Sequence, residues 1–197
     1  MPSRSSAPKL NLEVVVSTAL AVLDKDGLGA VTTRRVAQEL GTGPASLYAH
    51  VRNKDELLSL VLDKVLADIP LPTARGTWQQ RLLRYGRQTR KALLAHPGIA
   101  AVAMALPPTG AAAWAQQEWL RSLLAAAGLP EDQLQAAVQS ISLYVIAGAH
   151  EEELFAGTDR SSGVAQRLEY GLRLMVHGLE HQVQQHLEHL QQHNQGS

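Results

Sequence analysis

Several side chains that can donate hydrogen bonds or neutralise phosphates lie close together near the beginning of this 197-residue chain. Ser46, Tyr48 and His50 can donate hydrogen bonds to phosphate oxygens or base edges, and Arg34 and Lys54 can neutralise phosphates. Each also has an ordinary alternative, because a tyrosine can pack at a helix edge and a single surface histidine, arginine or lysine is usually just solvated. Their occurrence together within one short segment favours an interaction with double-stranded DNA.

Two short helices joined by a tight turn are predicted around these side chains. Thr32 or Thr33 can begin the first helix, which should end at Gly41. A Thr-Gly dipeptide forms the turn, and Pro44 suits the first turn of the second helix, where its missing N–H costs nothing. The predicted contacts between the helices are apolar: Val36, Ala37, Leu40, Leu47 and Val51. This is a helix-turn-helix arrangement, whose second helix can enter the major groove.

A further helix is predicted on each side of this pair. Asn11 can cap the preceding helix, which ends at Gly27, and Leu12 begins its expected buried face. Asn53 and Glu56 are spaced as a capping box for the following helix. Lys54 would then lie at a helix N-terminus, where backbone N–H groups also attract phosphate.

A segment rich in Pro and Gly, which begins at Pro70, marks the predicted boundary between two all-α domains. Residues 1–70 should form a three-helix helix-turn-helix DNA-binding domain, preceded by a flexible, mildly basic arm over residues 1–10. Residues 71–197 should form a helical domain for ligand binding and dimerisation. Its helices are predicted over 78–95, 99–106, 110–127, 131–155 and 164–192, which gives about nine helices in the chain.

The composition fits a cytoplasmic globular protein. Apolar residues make up 45% of the chain, which is enough for a packed core, and the 18 Lys and Arg balance the 18 Asp and Glu. The charges are unevenly placed, because residues 1–54 carry seven basic and four acidic residues, whereas residues 131–197 carry three and nine. The absence of cysteine excludes disulfides and thiolate metal sites. We expect neither a signal peptide nor a membrane-spanning helix.

Residues 31–62, VTTRRVAQELGTGPASLYAHVRNKDELLSLVL, resemble the DNA-binding domain of the tetracycline-repressor (TetR) family. The family signature runs from Thr-Thr-Arg through Ala-x-x-Leu-Gly to Leu-Tyr-x-His-Val-x-Asn-Lys-x-x-Leu-Leu. The chain keeps the whole signature: Thr33, Arg34, Ala37, Leu40, Gly41, Leu47, Tyr48, His50, Val51, Asn53, Lys54, Leu57 and Leu58. So many matches within one span make the resemblance specific.

The resemblance implies a set of DNA contacts. Three groups are implied: Thr33 and Arg34 from the first helix of the pair (the second helix of the chain), Pro44, Ala45 and Ser46 against bases or thymine methyl groups, and Tyr48, His50 and Lys54 on phosphates. The chain departs from the tetracycline repressors at Gly43 to Ala45, where bases are read. The operator should therefore differ from the tetracycline operator.

The resemblance continues more weakly after residue 70 and implies a homodimer. In the family, the last two long helices pair with those of a second subunit as a four-helix bundle, which here would use residues about 131–155 and 164–185. Apolar bands on these helices agree with pairing: Leu134, Ala137, Val138, Ile141, Val145 and Ile146, then Leu168, Leu172, Met175, Val176 and Leu179. Gly148, Gly171 and Gly178 would permit close approach. Burial of both bands inside the monomer is the alternative.

The expected effector is a small organic, partly apolar molecule. Tetracycline-binding members of the family use an Asn and a His where this chain has Tyr85 and Ala103, so the resemblance implies a different effector and no metal or other cofactor. The candidate pocket residues are Tyr85, Met104, Leu106, Trp114, Trp119, Tyr144 and His150. Ordinary core packing is the alternative for each of them. The histidine-rich end of the chain is interpreted as a solvated helix, with metal binding left open.

The sequence therefore predicts a ligand-responsive transcriptional regulator that binds a palindromic operator as a homodimer and is released by its effector. Two other classes of protein are considered. A small helical enzyme is disfavoured because the chain has no cysteine nucleophile, nucleophile elbow or phosphate-binding glycine loop, and we assign no catalytic residue. A helical adaptor that has lost DNA binding is disfavoured by the retained Tyr48, His50 and Lys54. The effector, the operator, the regulated genes and the choice between repression and activation stay open.

Overall fold

The computed structural model of the chain describes residues 10–73, 75–107, 109–159 and 161–195, so the predicted N-terminal arm lies outside the described residues except for Leu10. The regular structure of these residues is entirely helical, which confirms the predicted all-α fold class. The helices in chain order are α1 (Leu12–Asp26), α2 (Thr33–Glu39), α3 (Pro44–Tyr48), α4 (Lys54–Ala67), α5 (Trp78–Leu94), α6 (Ile99–Ala105), α7 (Ala111–Ala127), α8 (Glu131–Leu154) and α9 (Ser161–Gln195). Among the described helices, we find none with the length and apolar character needed to cross a bilayer.

The first helices begin at the predicted capping residues. The Asn11 side chain accepts a hydrogen bond from the Val14 N–H at 2.9 Å, and the Thr32 side chain accepts one from the Arg35 N–H at 3.1 Å. Both bonds satisfy backbone donors that have no partner inside the helix. The predicted apolar face of α1 is wrong at its first position, because Leu12 is 41% exposed.

The capping box predicted before α4 is only half formed. The Asn53 side chain accepts the Glu56 N–H at 2.8 Å, but the Glu56 carboxylate accepts the Arg52 N–H instead of returning to Asn53. The charge of Arg52 explains this choice, since its guanidinium also donates to Glu56. A reciprocal capping box is found at the start of α5, between Thr77 and Gln80.

The main hydrophobic core crosses the predicted domain boundary. Fully buried residues of α1 to α4, such as Leu47 and Leu57, belong to the same apolar cluster as residues from three later helices. The later residues are Leu93, Ile99, Ala100, Val102 and Ala149. The first four helices are therefore packed onto α5, α6 and α8 through a shared core.

Two glycines allow α8 and α9 to pack closely within the chain. A Cβ atom at Gly148 would lie 2.0 Å from Leu168 Cδ1, and one at Gly171 would lie 1.9 Å from the Tyr144 hydroxyl oxygen. Most of the apolar bands that we expected to face a second subunit are consequently buried inside the monomer: Leu134, Val138, Ile141, Val145, Leu168, Leu172, Val176 and Leu179. That part of the prediction is wrong, because the two helices use these faces to pack with their own chain.

Candidate DNA interface and effector region

Helix α3 is held against α2 by apolar packing and by a closed turn. Leu47 and Val51 are buried, and the Thr42 N–H donates to the Ala37 carbonyl oxygen at 2.9 Å. Gly41 has a φ of +63°, a conformation that favours glycine. Because Leu47 faces inward, the other residues of this five-residue helix are left exposed or half-buried.

The side chains predicted to contact DNA are available at the surface. Tyr48 is 56% exposed, and its hydroxyl oxygen lies 3.5 Å from Thr33 Oγ1 on α2, so these two groups form one polar site. Of the other candidates, Arg34, Pro44, Ala45 and Lys54 are exposed, and Ser46 and His50 are half-buried. Lys54 is the first residue of α4, next to the unpaired backbone N–H groups of that helix.

Ion pairs decide which basic side chains of this region remain available. Arg35 pairs with Asp26 at 2.8 Å and with Glu39 at 2.6 Å, and the hydrogen bond that its guanidinium donates to Asp26 raises the pKa of Arg35. Arg52 pairs with Glu56, and its hydrogen bond lowers the pKa of that carboxyl group.

Arg34 and Lys54 form no ion pair with any residue that the structure describes. Of the four basic residues from Arg34 to Lys54, these two are therefore the ones left without a carboxylate partner in the described part of the chain.

Two of the predicted effector residues form an aromatic pair between α5 and α7. The rings of Tyr85 and Trp119 are stacked with centroids 5.1 Å apart and an interplanar angle of 29°. The Arg81 guanidinium carbon lies 5.7 Å from the Trp119 ring centroid, within the range of a cation–π interaction. Tyr85 is buried, and burial raises the pKa of its phenol.

Arg81 and Thr89 were missed as candidates, although the sequence carried a signal for both. They lie four residues before and four residues after Tyr85, on the same face of α5. Thr89 is a buried polar residue, and its hydroxyl group adds hydrogen-bonding capacity to an otherwise apolar region. A four-residue spacing from an aromatic residue was the signal that could have found them.

The remaining predicted pocket residues are not gathered around this pair. Met104 and Trp114 are 49% and 63% exposed, and Leu106 is half-buried. Tyr144 lies between α8 and α9, where its hydroxyl group donates to the Arg167 carbonyl oxygen at 3.0 Å. The half-buried His150 has an Nδ1 atom with no hydrogen-bond partner among the described residues.

Two surface grooves run between α8 and α9. One of about 420 Å³ is lined by residues that include Ala136, Ser140, Met175 and Gly178. The other, of about 380 Å³, is lined by residues that include Tyr144, Gly148, Tyr170 and Gly171. Large apolar side chains on these two helices are also exposed: Leu143, Leu154, Tyr170, Leu174, Leu187 and Leu190. An exposed apolar surface of this kind is typical of a protein–protein contact.

In the described part of the chain, no three His, Asp or Glu side chains are grouped closely enough to hold a metal ion together. The side chain of His193, which belongs to the histidine-rich end, lies outside the described residues.

Two family models of tetracycline-repressor-like proteins match successive parts of the chain. The model for bacterial regulatory proteins of the tetR family matches residues 15–61. The model for the tetracyclin repressor-like C-terminal domain matches residues 70–166.

Similar proteins include regulators with DNA and with small molecules bound. An HTH-type transcriptional regulator of Saccharopolyspora erythraea is 34% identical over 165 residues, which are 82% of this chain and 70% of that protein. Apo ActR from Streptomyces coelicolor superposes with a TM-score of 0.83 at 33% identity, covering 92% of this chain and 99% of ActR. ActR in complex with actinorhodin superposes with a TM-score of 0.81 at 32% identity, covering 88% of this chain and 96% of that chain. BioQ with its double-stranded DNA operator superposes with a TM-score of 0.72 at 30% identity, covering 87% of this chain and 99% of that chain.

The Tyr85→Phe variant should lose less stability at alkaline pH than the parent protein. Because the folded pKa of Tyr85 is raised above its ordinary value of 10.0, the neutral phenol stabilises the fold below that pH. This contribution is lost as the pH rises from about 10 through the folded pKa. Urea unfolding at a series of alkaline pH values measures the effect, with the exposed Tyr170→Phe as the matched control. An equal loss in Tyr85→Phe and the parent would contradict the burial of Tyr85.

Proposed function

Because the chain belongs to the tetracycline-repressor (TetR) family of bacterial transcriptional regulators, we propose that it is a cytoplasmic repressor that a small organic molecule releases from its operator. In this proposal a homodimer binds a palindromic operator through α1 to α4, the DNA-binding domain. Helices α5 to α9, the effector domain, bind the effector and hold the two subunits together. The observation that carries the proposal is the outward polar site of α2, α3 and α4.

Three features of that polar site support DNA binding. The hydroxyl groups of Thr33, at the start of α2, and Tyr48, at the end of α3, lie together at the surface, where both can reach phosphate oxygens. Lys54 adds a cation at the N-terminus of α4, and Arg34 adds one near the start of α2. Pro44 and Ala45 offer apolar surface at the start of α3, which suits contact with thymine methyl groups in the major groove. BioQ, a structural relative, has been crystallised with its operator.

The exposed apolar side chains of α8 and α9 support the homodimer. Leu143 is 58% exposed and Leu174 is 53% exposed, and both lie on helices whose opposite faces are buried in the monomer. A second copy of the same surface would remove these side chains from water. Dimerisation places two recognition helices on one duplex, where half-sites must lie about 34–36 Å apart.

The aromatic pair of α5 and α7 supports a planar, partly apolar effector. Trp119 is half-buried and offers a flat face for stacking next to the buried Tyr85, and Arg81 and Thr89 supply polar groups beside the pair. The relative ActR has been crystallised with actinorhodin, which makes that compound a suitable first probe. An effector that binds better to a conformation with the wrong half-site spacing would weaken DNA binding, and DNA would weaken effector binding by the same factor.

Tyr48→Phe and Lys54→Ala should weaken binding to an operator taken from the region upstream of the protein's own gene. Loss of the Tyr48 hydroxyl should lower affinity about tenfold or more, since a hydrogen bond to a charged group is worth about 1.5–3 kcal/mol. Loss of Lys54 from both subunits should reduce the slope of log affinity against log salt by roughly 1.8, or about 0.9 per lost phosphate contact. Mobility-shift titrations at several salt concentrations measure both effects. Lys91→Ala, an exposed lysine of α5, is the control, and parental affinity in both variants would contradict the proposed interface.

Leu143→Glu and Leu174→Glu should dissociate the dimer. An unpaired charge buried at the subunit contact typically costs several kcal/mol, so the dimer dissociation constant should rise by more than about a hundredfold. Sedimentation velocity at micromolar concentration distinguishes the two states. The control is Leu12→Glu, which adds the same charge at an exposed leucine of α1. A parent protein that sediments as a monomer would contradict the homodimer.

Planar aromatic compounds, tested first with actinorhodin, should raise the melting temperature of the parent. A ligand present at about a hundred times its Kd stabilises the folded state by about 2.7 kcal/mol. Trp119→Ala should abolish the rise, because it removes one face of the stack. Trp78→Ala serves as the control, since Trp78 packs against the same hydrophobic cluster but is not part of the pair. An undiminished rise in Trp119→Ala would place the effector elsewhere.

A further inference from the structure

Helix α4 connects the proposed DNA interface with the effector domain. It begins at Lys54 and ends at Ala67, just before the predicted boundary at Pro70. Its buried residues belong to the apolar cluster that the DNA-binding domain shares with α5, α6 and α8. Any contact that sets the position of α4 therefore also sets the position of the recognition helix α3.

The α4 side chain of Asp63 caps the N-terminus of α7. Gly110 occupies the N-cap position of α7 and has no side chain with which to accept a helical N–H. Asp63 Oδ1 accepts the hydrogen bond instead, from the Ala113 N–H at 2.9 Å. A Cβ atom at position 110 would lie 1.9 Å from Asp63 Cγ, so the glycine is required for this approach. The cap that α7 lacks locally is thus supplied by α4.

A side chain of α7 satisfies carbonyl groups at the C-terminal end of α4 in return. Gln116 is buried, at 6% exposure, and its Nε2 donates to the Leu66 carbonyl oxygen at 3.0 Å and to the Ile69 carbonyl oxygen at 3.2 Å. The Leu66 carbonyl oxygen also accepts the Ile69 N–H at 3.2 Å, and the second lone pair of a carbonyl oxygen lets it accept Gln116 as well. The two helices consequently cap each other at points about one turn apart on α4.

We infer that Asp63 and Gln116 are positioning residues through which α7 controls the orientation of the DNA-binding domain. The inference rests on the proposed function, because it concerns how the effector site acts on the operator site. Trp119, one face of the aromatic pair, lies three residues after Gln116 on α7. A movement of α7 at the effector site is carried to α4 by directional hydrogen bonds at two points, which oppose both sliding and rotation of α4.

The test compares four variants in full-length protein that carries one spin label on each subunit. The chain contains no cysteine, so Gln38→Cys at an exposed position of α2 provides a single labelling site. Asp63→Ala and Gln116→Leu remove the caps. Asp63→Asn retains an oxygen that can accept the Ala113 N–H. Gln117→Leu makes the same change as Gln116→Leu at a neighbouring half-buried glutamine for which no hydrogen bond is found among the described residues.

Two quantities are measured for each variant: the distribution of distances between the two labels of the dimer, and the affinity for operator DNA. Asp63→Ala and Gln116→Leu should broaden the distribution and lower the affinity about tenfold, as expected if only about a tenth of the dimers keep the competent half-site spacing. Asp63→Asn and Gln117→Leu should match the parent in both. A purely structural role would lower the melting temperature without broadening the distances in the folded dimer.

The outcomes separate this inference from the proposed function. A dimeric parent whose Asp63→Ala and Gln116→Leu variants keep a parental distance distribution and affinity would overturn the inference alone. A parent that sediments as a monomer and gives no dipolar signal would contradict the homodimer and this inference together. Should Asp63→Ala fail to fold, Gln116→Leu, which keeps a side chain of similar volume, decides the matter.

Discussion

The packing of α4 between α1 to α3 on one side and the effector domain on the other is the constraint on which the rest of the structure depends. Leu57, Val61 and Val65 place one face of this helix in a cluster that also contains Leu93 and Ile99. Protein interiors are close-packed, so a displacement of α4 must move its neighbours on both sides. Apolar contacts of this kind resist separation but permit sliding. The hydrogen bonds between α4 and α7 oppose this sliding, because they weaken steeply when their geometry changes.

The electrostatics of the proposed DNA interface depend on which side chains form ion pairs and not on net charge, since the chain has equal numbers of acidic and basic residues. Arg35 and Arg52 are paired with neighbouring carboxylates, whereas Arg34 and Lys54 have no ion pair within the described part of the chain. Exposed pairs of this type contribute little to stability. The effect of these ion pairs is to leave only two of the four neighbouring cations, Arg34 and Lys54, without a carboxylate partner and available to a phosphate.

Much of the local structure was predictable from short-range patterns. The starts of α1 and α2 follow from Asn11 and Thr32, because an N-cap is a hydrogen bond between residues three positions apart. The failure at Asn53 is equally local, since the Arg52 backbone and guanidinium compete for the same Glu56 carboxylate. The capping box before α5, at Thr77, obeys the same three-residue rule and could have been found.

The sequence by itself determined the helices, the helix-turn-helix and the family, because each depends on residue spacing within one short segment. Only the tertiary structure decided which neighbour covers each apolar face. Periodicity shows that α8 and α9 have apolar bands, but packing in the monomer buries those bands against α5, α7 and each other and leaves Leu143 and Leu174 outside. The same holds for contacts such as Tyr85 with Trp119 and Asp63 with Ala113, because helix crossing, and not local spacing, brings residues distant along the chain together.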